Sequence, residues 1–288
     1  MALIWGSSFL FIELSLELTT AFGVAFWRTA LGALAMLALG FIFKIALPKK
    51  LSQWGHLWVA GFLMSAFPFT MYAFAQQFTT SILAAILNAT TPIFTLLAIV
   101  TIFRGQRQSA TAIIGLLVGL VGVGVTLGVW QGFGDNDQLA ILALVMASIS
   151  YGIGTPYIRK HITPMALAPT STAAVQVLTS ALTLLPFYLL TGPLFIAEPR
   201  VETLGSLILL GVLGSGVAYW LFHQIVAQAG SAVAATVTYT NPVIATFWGV
   251  LLLGETLHWY EPVGAILVIT GAYLAQGRRL KLFRIRKS

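Results

Sequence analysis

Runs of about twenty apolar residues, each closed by a short polar knot, recur along the whole chain, and each can cross the hydrocarbon core of a bilayer as a helix. They predict ten spans: Met1–Leu18, Phe22–Lys44, Trp54–Gln76, Thr80–Phe103, Ala110–Trp130, Gln138–Arg159, Met165–Thr191, Leu204–Val226, Ser231–Gly254 and Trp259–Gly277. Inside several spans the polar and aromatic residues return every three or four positions, which gathers them on one helical face. Asn88, Thr91 and Thr95 share such a face in the fourth span, and Thr238, Asn241 and Trp248 do so in the ninth. Tyr72 and Gln76 follow Phe69 in the third, Ser148 and Thr155 flank Tyr151 in the sixth, Tyr219 and His223 pair in the eighth, and Trp5 and Ser8 in the first. A face of this kind is expected to meet a neighbouring helix or a cavity, not lipid.

Two of these faces carry a proline at mid-span, in Thr90-Thr91-Pro92 and Thr240-Asn241-Pro242. Proline has no N–H to give the carbonyl four residues back, so the carbonyls of Asn88 and Thr238 are freed. In hydrocarbon such a group must find another donor or line a cavity. A kink braced by neighbouring helices and a substrate-lined wall both fit, and recurrence in both halves favours the wall.

The prolines lie 150 positions apart, and other residues match at the same offset: Gly55 with Gly205, Gly61 with Gly211, Phe69 with Tyr219, Ser81 with Ser231, Ala84-Ala85 with Ala234-Ala235. One module is written twice, over residues 1–134 and 135–288. Charge decides how the copies are oriented. Of the 15 basic residues, all except Arg28 and Arg200 fall on one side of the ten-span pattern, while all eight acidic residues fall on or near the other. Because basic loops stay in the cytoplasm, both termini are expected there. Five spans per copy then force the second copy to insert upside down, giving an all-α integral membrane protein of about ten helices in two inverted five-helix repeats.

Composition agrees. With 58% hydrophobic and 8% charged residues in 288 and a mean hydropathy of +0.93, no single soluble core could bury the chain, and the bilayer is its first partner. The net charge of +7 reports orientation; nucleic acid is not an expected partner. Absent cysteine rules out disulfides and thiolate metal sites. The four histidines lack metal-ligand spacing, no phosphate-binding loop is present, and Gly152-Ile153-Gly154-Thr155-Pro156 is not a dinucleotide fingerprint. Neither enzyme chemistry nor a cofactor or metal is expected. The first span begins without a basic segment and is short, so further residues precede it or the helix starts at the interface.

Arg28 lies inside a span, with Glu13 at comparable depth in the next. The two could form a local ion pair, an outer gate, or, for Arg28, a contact to a substrate carboxylate. Gly115 and Gly119, four apart, suit either a dimer seam or packing within one bundle, so a monomer or weak dimer is expected. No span has an acidic residue at its centre, and His223 has no evident carboxylate partner, which favours downhill movement over proton coupling.

The stretch Pro242-Val243-Ile244 through Gly254-Glu255-Thr256, followed by Pro262-Val263-Gly264-Ala265-Ile266-Leu267 and Gly271, resembles the C-terminal module of the EamA family in the drug/metabolite transporter superfamily. Trp5-Gly6-Ser7-Ser8-Phe9 with Phe26-Trp27-Arg28 resembles the start of its first module. The first copy departs from the pattern, with Arg104-Gly105 where the family often has Gly-Glu. The resemblance implies a central cavity for a small-molecule substrate and export across the bacterial inner membrane. Amino-acid exporters of the YddG type, which handle neutral and aromatic amino acids, are the branch this aromatic-rich chain is most similar to. Drugs, nucleosides or sugars carried by proton antiport, or a membrane sensor without turnover, are the alternatives. The residues expected at the site are Trp5, Ser8, Tyr72, Gln76, Asn88, Thr91, Tyr151, Tyr219, His223, Thr238, Asn241 and Trp248, with Pro92, Pro242, Glu13 and Arg28 as kink or gate.

Overall fold

The computed structural model describes residues 1–103, 110–131, 137–191, 195–229, 238 and 240–275. These form ten helices and no strand: α1 Ala2–Leu16, α2 Ala21–Ile42, α3 Leu51–Ala75, α4 Ser81–Thr101, α5 Ala110–Thr126, α6 Gln138–Met165, α7 Pro169–Leu190, α8 Val201–Val226, α9 Asn241–Leu252 and α10 Tyr260–Ala275. Six of them, α2, α3, α4, α6, α7 and α8, are long and apolar enough to cross a membrane; α1, α5, α9 and α10 are shorter apolar helices. Much of the first half of the expected span Ser231–Gly254 lies outside the described residues, as does the basic tail.

The distribution of side chains is that of a chain dissolved in lipid. Leu34, Phe41, Leu117, Leu190 and Phe247 face outward, whereas Ser65, Asn88, Gln176, Ser180 and Ser215 are buried between helices. Polar groups inside the bundle find one another because lipid offers them nothing.

The 150-residue offset recurs in local structure. Leu51–Gly61 and Val201–Gly211 are α-helical, and each is followed at once by a π-helical stretch, Phe62–Ala66 and Val212–Val217. Each of these helices also starts alike, with the Lys50 N–H bonded to Gln53 Oε1 and the Arg200 N–H to Thr203 Oγ1, both at 3.2 Å. Helices at equivalent places pack on each other, α2 on α7 and α5 on α10; α1 meets α9 as α6 meets α4. A Cβ on Gly122 would stand 2.6 Å from the Val268 nitrogen, and one on Gly271 would stand 2.7 Å from the Gly115 carbonyl. The glycine face of α5 is therefore filled by α10 of the same chain, and the dimer-seam reading of Gly115 and Gly119 gives way to packing within it.

A π turn widens the helix and leaves a carbonyl without its usual partner. Here other helices supply the donors. Ser180 Oγ reaches the Gly61 carbonyl at 3.0 Å, Ser150 Oγ the Leu63 carbonyl at 2.7 Å, and Trp5 Nε1 the Gly214 carbonyl at 3.1 Å. The Tyr219 hydroxyl donates to the Met64 carbonyl.

The end of the bundle that carries the acidic residues is cross-linked by caps, an ion pair and backbone bonds. Thr20, Thr80 and Asp137 cap α2, α4 and α6 there, accepting from the N–H groups of Gly23, Leu83 and Leu139. Arg200 pairs with Glu17, and the Ile196 N–H bonds the Leu18 carbonyl at 2.9 Å. After α9 the chain turns at Gly254, whose φ of +65° suits glycine. That turn sends the Glu255 carboxylate onto the start of α4, where it accepts from the N–H groups of Ser81 at 2.7 Å and Ile82 at 3.2 Å. A carboxylate on a helix N-terminus is favoured both by the free N–H groups and by the helix dipole.

Candidate functional site

The break in α4 is made by its sequence. Ser81–Asn88 is helical, and the helix resumes at Thr91 with Pro92 in its first turn. The Leu87 carbonyl at the break accepts from Thr90 Oγ1 at 2.6 Å and from Ser148 Oγ of α6 at 3.0 Å. The wall thus bends inward and presents Asn88 and Thr91 to the centre of the bundle.

There a cavity lies between helices of both halves. A water's centre can range over about 80 Å³ inside it, against about 10–15 Å³ for one lodged water, so it admits a small solute. Of the residues expected at the site, Trp5, Ser8, Tyr72, Asn88, Thr91, Tyr151, Tyr219, Thr238 and Asn241 line it, together with Arg28 and Pro92. Trp248, Gln76, His223, Pro242 and Glu13 lie off the wall. Trp248 Nε1 donates to Ser7 Oγ at 2.9 Å, tying α9 to α1. Gln76 Nε2 bridges the Phe9 carbonyl at 2.9 Å and Glu13 Oε2 at 3.3 Å, fastening α3 to α1 near the acidic end. His223 Nε2 meets Gln176 Oε1 at 2.9 Å, within the bundle. Pro242 is buried at the start of α9. Met64, Phe9, Ile12 and Phe222 line the cavity without having been expected there. As apolar residues in apolar runs they give no signal by type.

At the centre the two halves touch through side chains. Asn241 Nδ2 donates to Asn88 Oδ1 at 3.1 Å, Asn88 Nδ2 donates to the Tyr72 hydroxyl at 2.8 Å, and that hydroxyl lies 3.4 Å from Ser148 Oγ. Asn241 Oδ1 and Thr91 Oγ1 are buried and have no hydrogen-bond partner among the described residues. Around them stand rings: Tyr72 stacks on Tyr151 at 6.1 Å, Trp5 meets Tyr219 edge-on at 5.8 Å, and Phe9 meets Tyr72 at 5.7 Å. Aromatic walls with a few free hydrogen-bonding atoms suit a small amphipathic molecule.

The wall residues nearer the acidic end, Ile12, Arg28, Phe69 and Tyr72, are buried, whereas Trp5, Thr95, Thr155 and Thr238 toward the basic end are partly exposed. No carboxylate is among the lining residues described. Arg28 and Glu13 do not pair. Arg28 Nε donates instead to Ser215 Oγ at 3.0 Å, and its guanidinium carbon stands 3.5 Å over the Phe69 ring. Glu13 is held by Gln76.

Comparison with known proteins gives a consistent picture. Residues 1–128 and 138–276 each match the EamA-like transporter family. An uncharacterised transporter of Archaeoglobus fulgidus is 25% identical over 283 residues, covering 96% of this chain and 95% of its own. The uncharacterised inner membrane transporter YedA of Escherichia coli K12 is 27% identical over 280 residues, covering 94% and 89%. YdfC of Bacillus subtilis, an uncharacterised transporter, is 24% identical over 285 residues, covering 97% and 90%. A crystal structure 18% identical in sequence superposes with a TM-score of 0.68 over 95% of this chain and 93% of the other, a likeness of fold.

Proposed function

The chain belongs to the EamA-like transporter family, and from that premise we propose that it exports neutral and aromatic amino acids by alternating access, in the manner of the YddG-type exporters. In this reading ten crossings form two inverted five-helix repeats, residues 1–134 and 135–288. The basic end and both termini lie in the cytoplasm of a bacterium, and the membrane is the inner one, as the name of the Escherichia coli relative states of that protein. One observation carries the reading: an aromatic-walled cavity with asparagines from both halves at its centre and two spare polar atoms, Asn241 Oδ1 and Thr91 Oγ1, beside them. A buried polar atom left unpaired costs about 1–3 kcal/mol, which a substrate's ammonium or amide group would offset on entering. The absence of a carboxylate from the described lining supports movement down a gradient, because a coupled proton needs a group that changes charge within the cycle.

Counterflow in proteoliposomes tests this. Vesicles loaded with unlabelled phenylalanine are expected to take up labelled phenylalanine transiently without an imposed proton gradient. Uptake only when a proton gradient is imposed would replace facilitated movement with antiport. Exchange of nucleosides or cationic drugs but not of amino acids would move the substrate class, and binding without exchange would leave a sensor.

A further inference from the structure

Arg28 is 4% exposed, lines the cavity, and has no carboxylate within ion-pairing distance among the described residues. Its Nε–H is taken by Ser215 Oγ and one face lies on Phe69. No other hydrogen bond of its guanidinium is present among the described residues, so four of its five N–H donors are uncommitted. A buried cation without a partner is destabilising, and proteins keep one where it works.

The other half of the molecule shows what the position needs for packing alone. Ser65, in the π stretch of α3, lies 150 positions before Ser215, in the π stretch of α8. Ser215 receives Arg28 of α2; Ser65 receives Gln176 of α7 through Nε2 at 3.2 Å. A neutral amide therefore suffices to tie such a helix to its π-turn serine. The remaining oxygen of Gln176 is occupied by His223, while residue 73, the counterpart of His223, is alanine and offers Arg28 nothing. Gln176 does not line the cavity and Arg28 does. The charge at position 28 thus exceeds its packing role, and it faces the space a substrate enters.

We infer that Arg28 is the anion-receiving group of the cavity, binding the carboxylate of the substrate at the end of the site nearer the acidic face, so that the substrates are aromatic or apolar carboxylates, amino acids among them. This rests on the amino-acid reading above and sharpens it. The spare Asn241 Oδ1 and Thr91 Oγ1 are then left for an ammonium, while Phe69 and Phe9 shield the ion pair from water. Planar guanidinium and carboxylate match in two parallel hydrogen bonds.

The test compares three ligands of one ring: phenylalanine, phenylacetate without the ammonium, and phenethylamine without the carboxylate. Binding to the detergent-purified protein is read by quenching of tryptophan fluorescence, with Trp5 in the wall, and transport by counterflow. Wild type is expected to bind phenylalanine and phenylacetate at least tenfold more tightly than phenethylamine, on the order of what a charged hydrogen bond supplies. Arg28→Gln, which installs the kind of side chain that reaches the π-turn serine of the other half from position 176, is expected to fold and to bring that ratio close to one. Arg28→Lys should keep part of the preference. Equal binding of phenethylamine and phenylalanine by wild type overturns the inference while leaving an amino-acid carrier standing, and needs no variant to fold. A preference that survives Arg28→Gln also overturns it. Failure of wild type to exchange phenylalanine while exchanging a nucleoside sinks the amino-acid reading itself.

Discussion

Asn88 commits both ends of its amide to other side chains, Oδ1 to Asn241 and Nδ2 to Tyr72, whereas Asn241 commits only Nδ2. The two occupy different positions in the repeat, Asn88 opposite Thr238 and Asn241 opposite Thr91 at the 150-residue offset, and their leucine variants are expected to differ accordingly. Asn88→Leu strands the Asn241 amide and leaves the Tyr72 hydroxyl only its 3.4 Å contact with Ser148, costing about 1–3 kcal/mol per unpaired group, and lowers the detergent melting temperature more than Asn241→Leu. Both should depress phenylalanine counterflow. Equal melting temperatures with undiminished exchange would remove the central network from the site. His223 makes the opposite prediction. It sits off the cavity wall, bonded to a neutral amide, so His223→Gln should keep substantial exchange with an unchanged pH profile. Loss of activity in that variant would restore proton coupling. The cavity lining was legible in the sequence where polarity marked it, as at Asn88, Thr91 and Asn241, because polar residues within a span tend to avoid lipid. It was illegible at Met64, Phe9 and Phe222, where an apolar residue facing a cavity reads the same as one facing lipid.

The π stretches of α3 and α8 explain a different gap between sequence and structure. Helical spacing correctly groups Phe69 with Tyr72, since both follow the π turn in α3. Met64 lies inside the turn, five positions before Phe69, and still reaches the same cavity. A face extrapolated at 3.6 residues per turn fails across an extra residue. Glycine marks each turn: Gly61 and Gly211 are the last residues before it, and both stand where helices approach closely. A Cβ at Gly61 would lie 2.7 Å from the Gln176 carbonyl, and at Gly211 2.6 Å from Leu31 Cβ, while Gly55 and Gly205 in the same helices have nothing within 4 Å. Gly61→Ala is therefore expected to cost about 1–3 kcal/mol by overpacking. Gly55→Ala should be neutral or stabilise by about 0.4–1 kcal/mol. Thermal unfolding in detergent distinguishes the pairs, and equal shifts at Gly55 and Gly61 would mean that the close approach is relieved by small movements.

For the molecule as a whole, the 150-residue spacing in the sequence leads to the repeat reading, and the contacts of α2 with α7 and α5 with α10 accord with it. Orientation in the membrane rests on charge, and the cysteine-free chain makes it measurable: Ser52→Cys and Asn136→Cys are expected to react with an impermeant thiol reagent from opposite sides. Labelling from one side would end the inverted-repeat reading. The Glu255 cap on α4 has a kinetic consequence. Its two bonds tie the turn after α9 to the start of α4 at the acidic end, and the corresponding stretch of the first module, from Thr101 to Ala110, contains no carboxylate to do the same at the basic end. Helix-terminal charge interactions of this kind contribute up to about 2 kcal/mol, which on the alternating-access reading proposed above is enough to leave the state open toward the acidic side as a minor species. A ligand arriving from that side meets a receptive carrier only a fraction of the time, and its apparent affinity falls by that fraction. Half-saturation should accordingly come at a lower concentration from the basic side, and Glu255→Gln should draw the two values together. On this reading a latch at one end decides which compartment saturates the protein first, while the direction of net flow stays with the gradient.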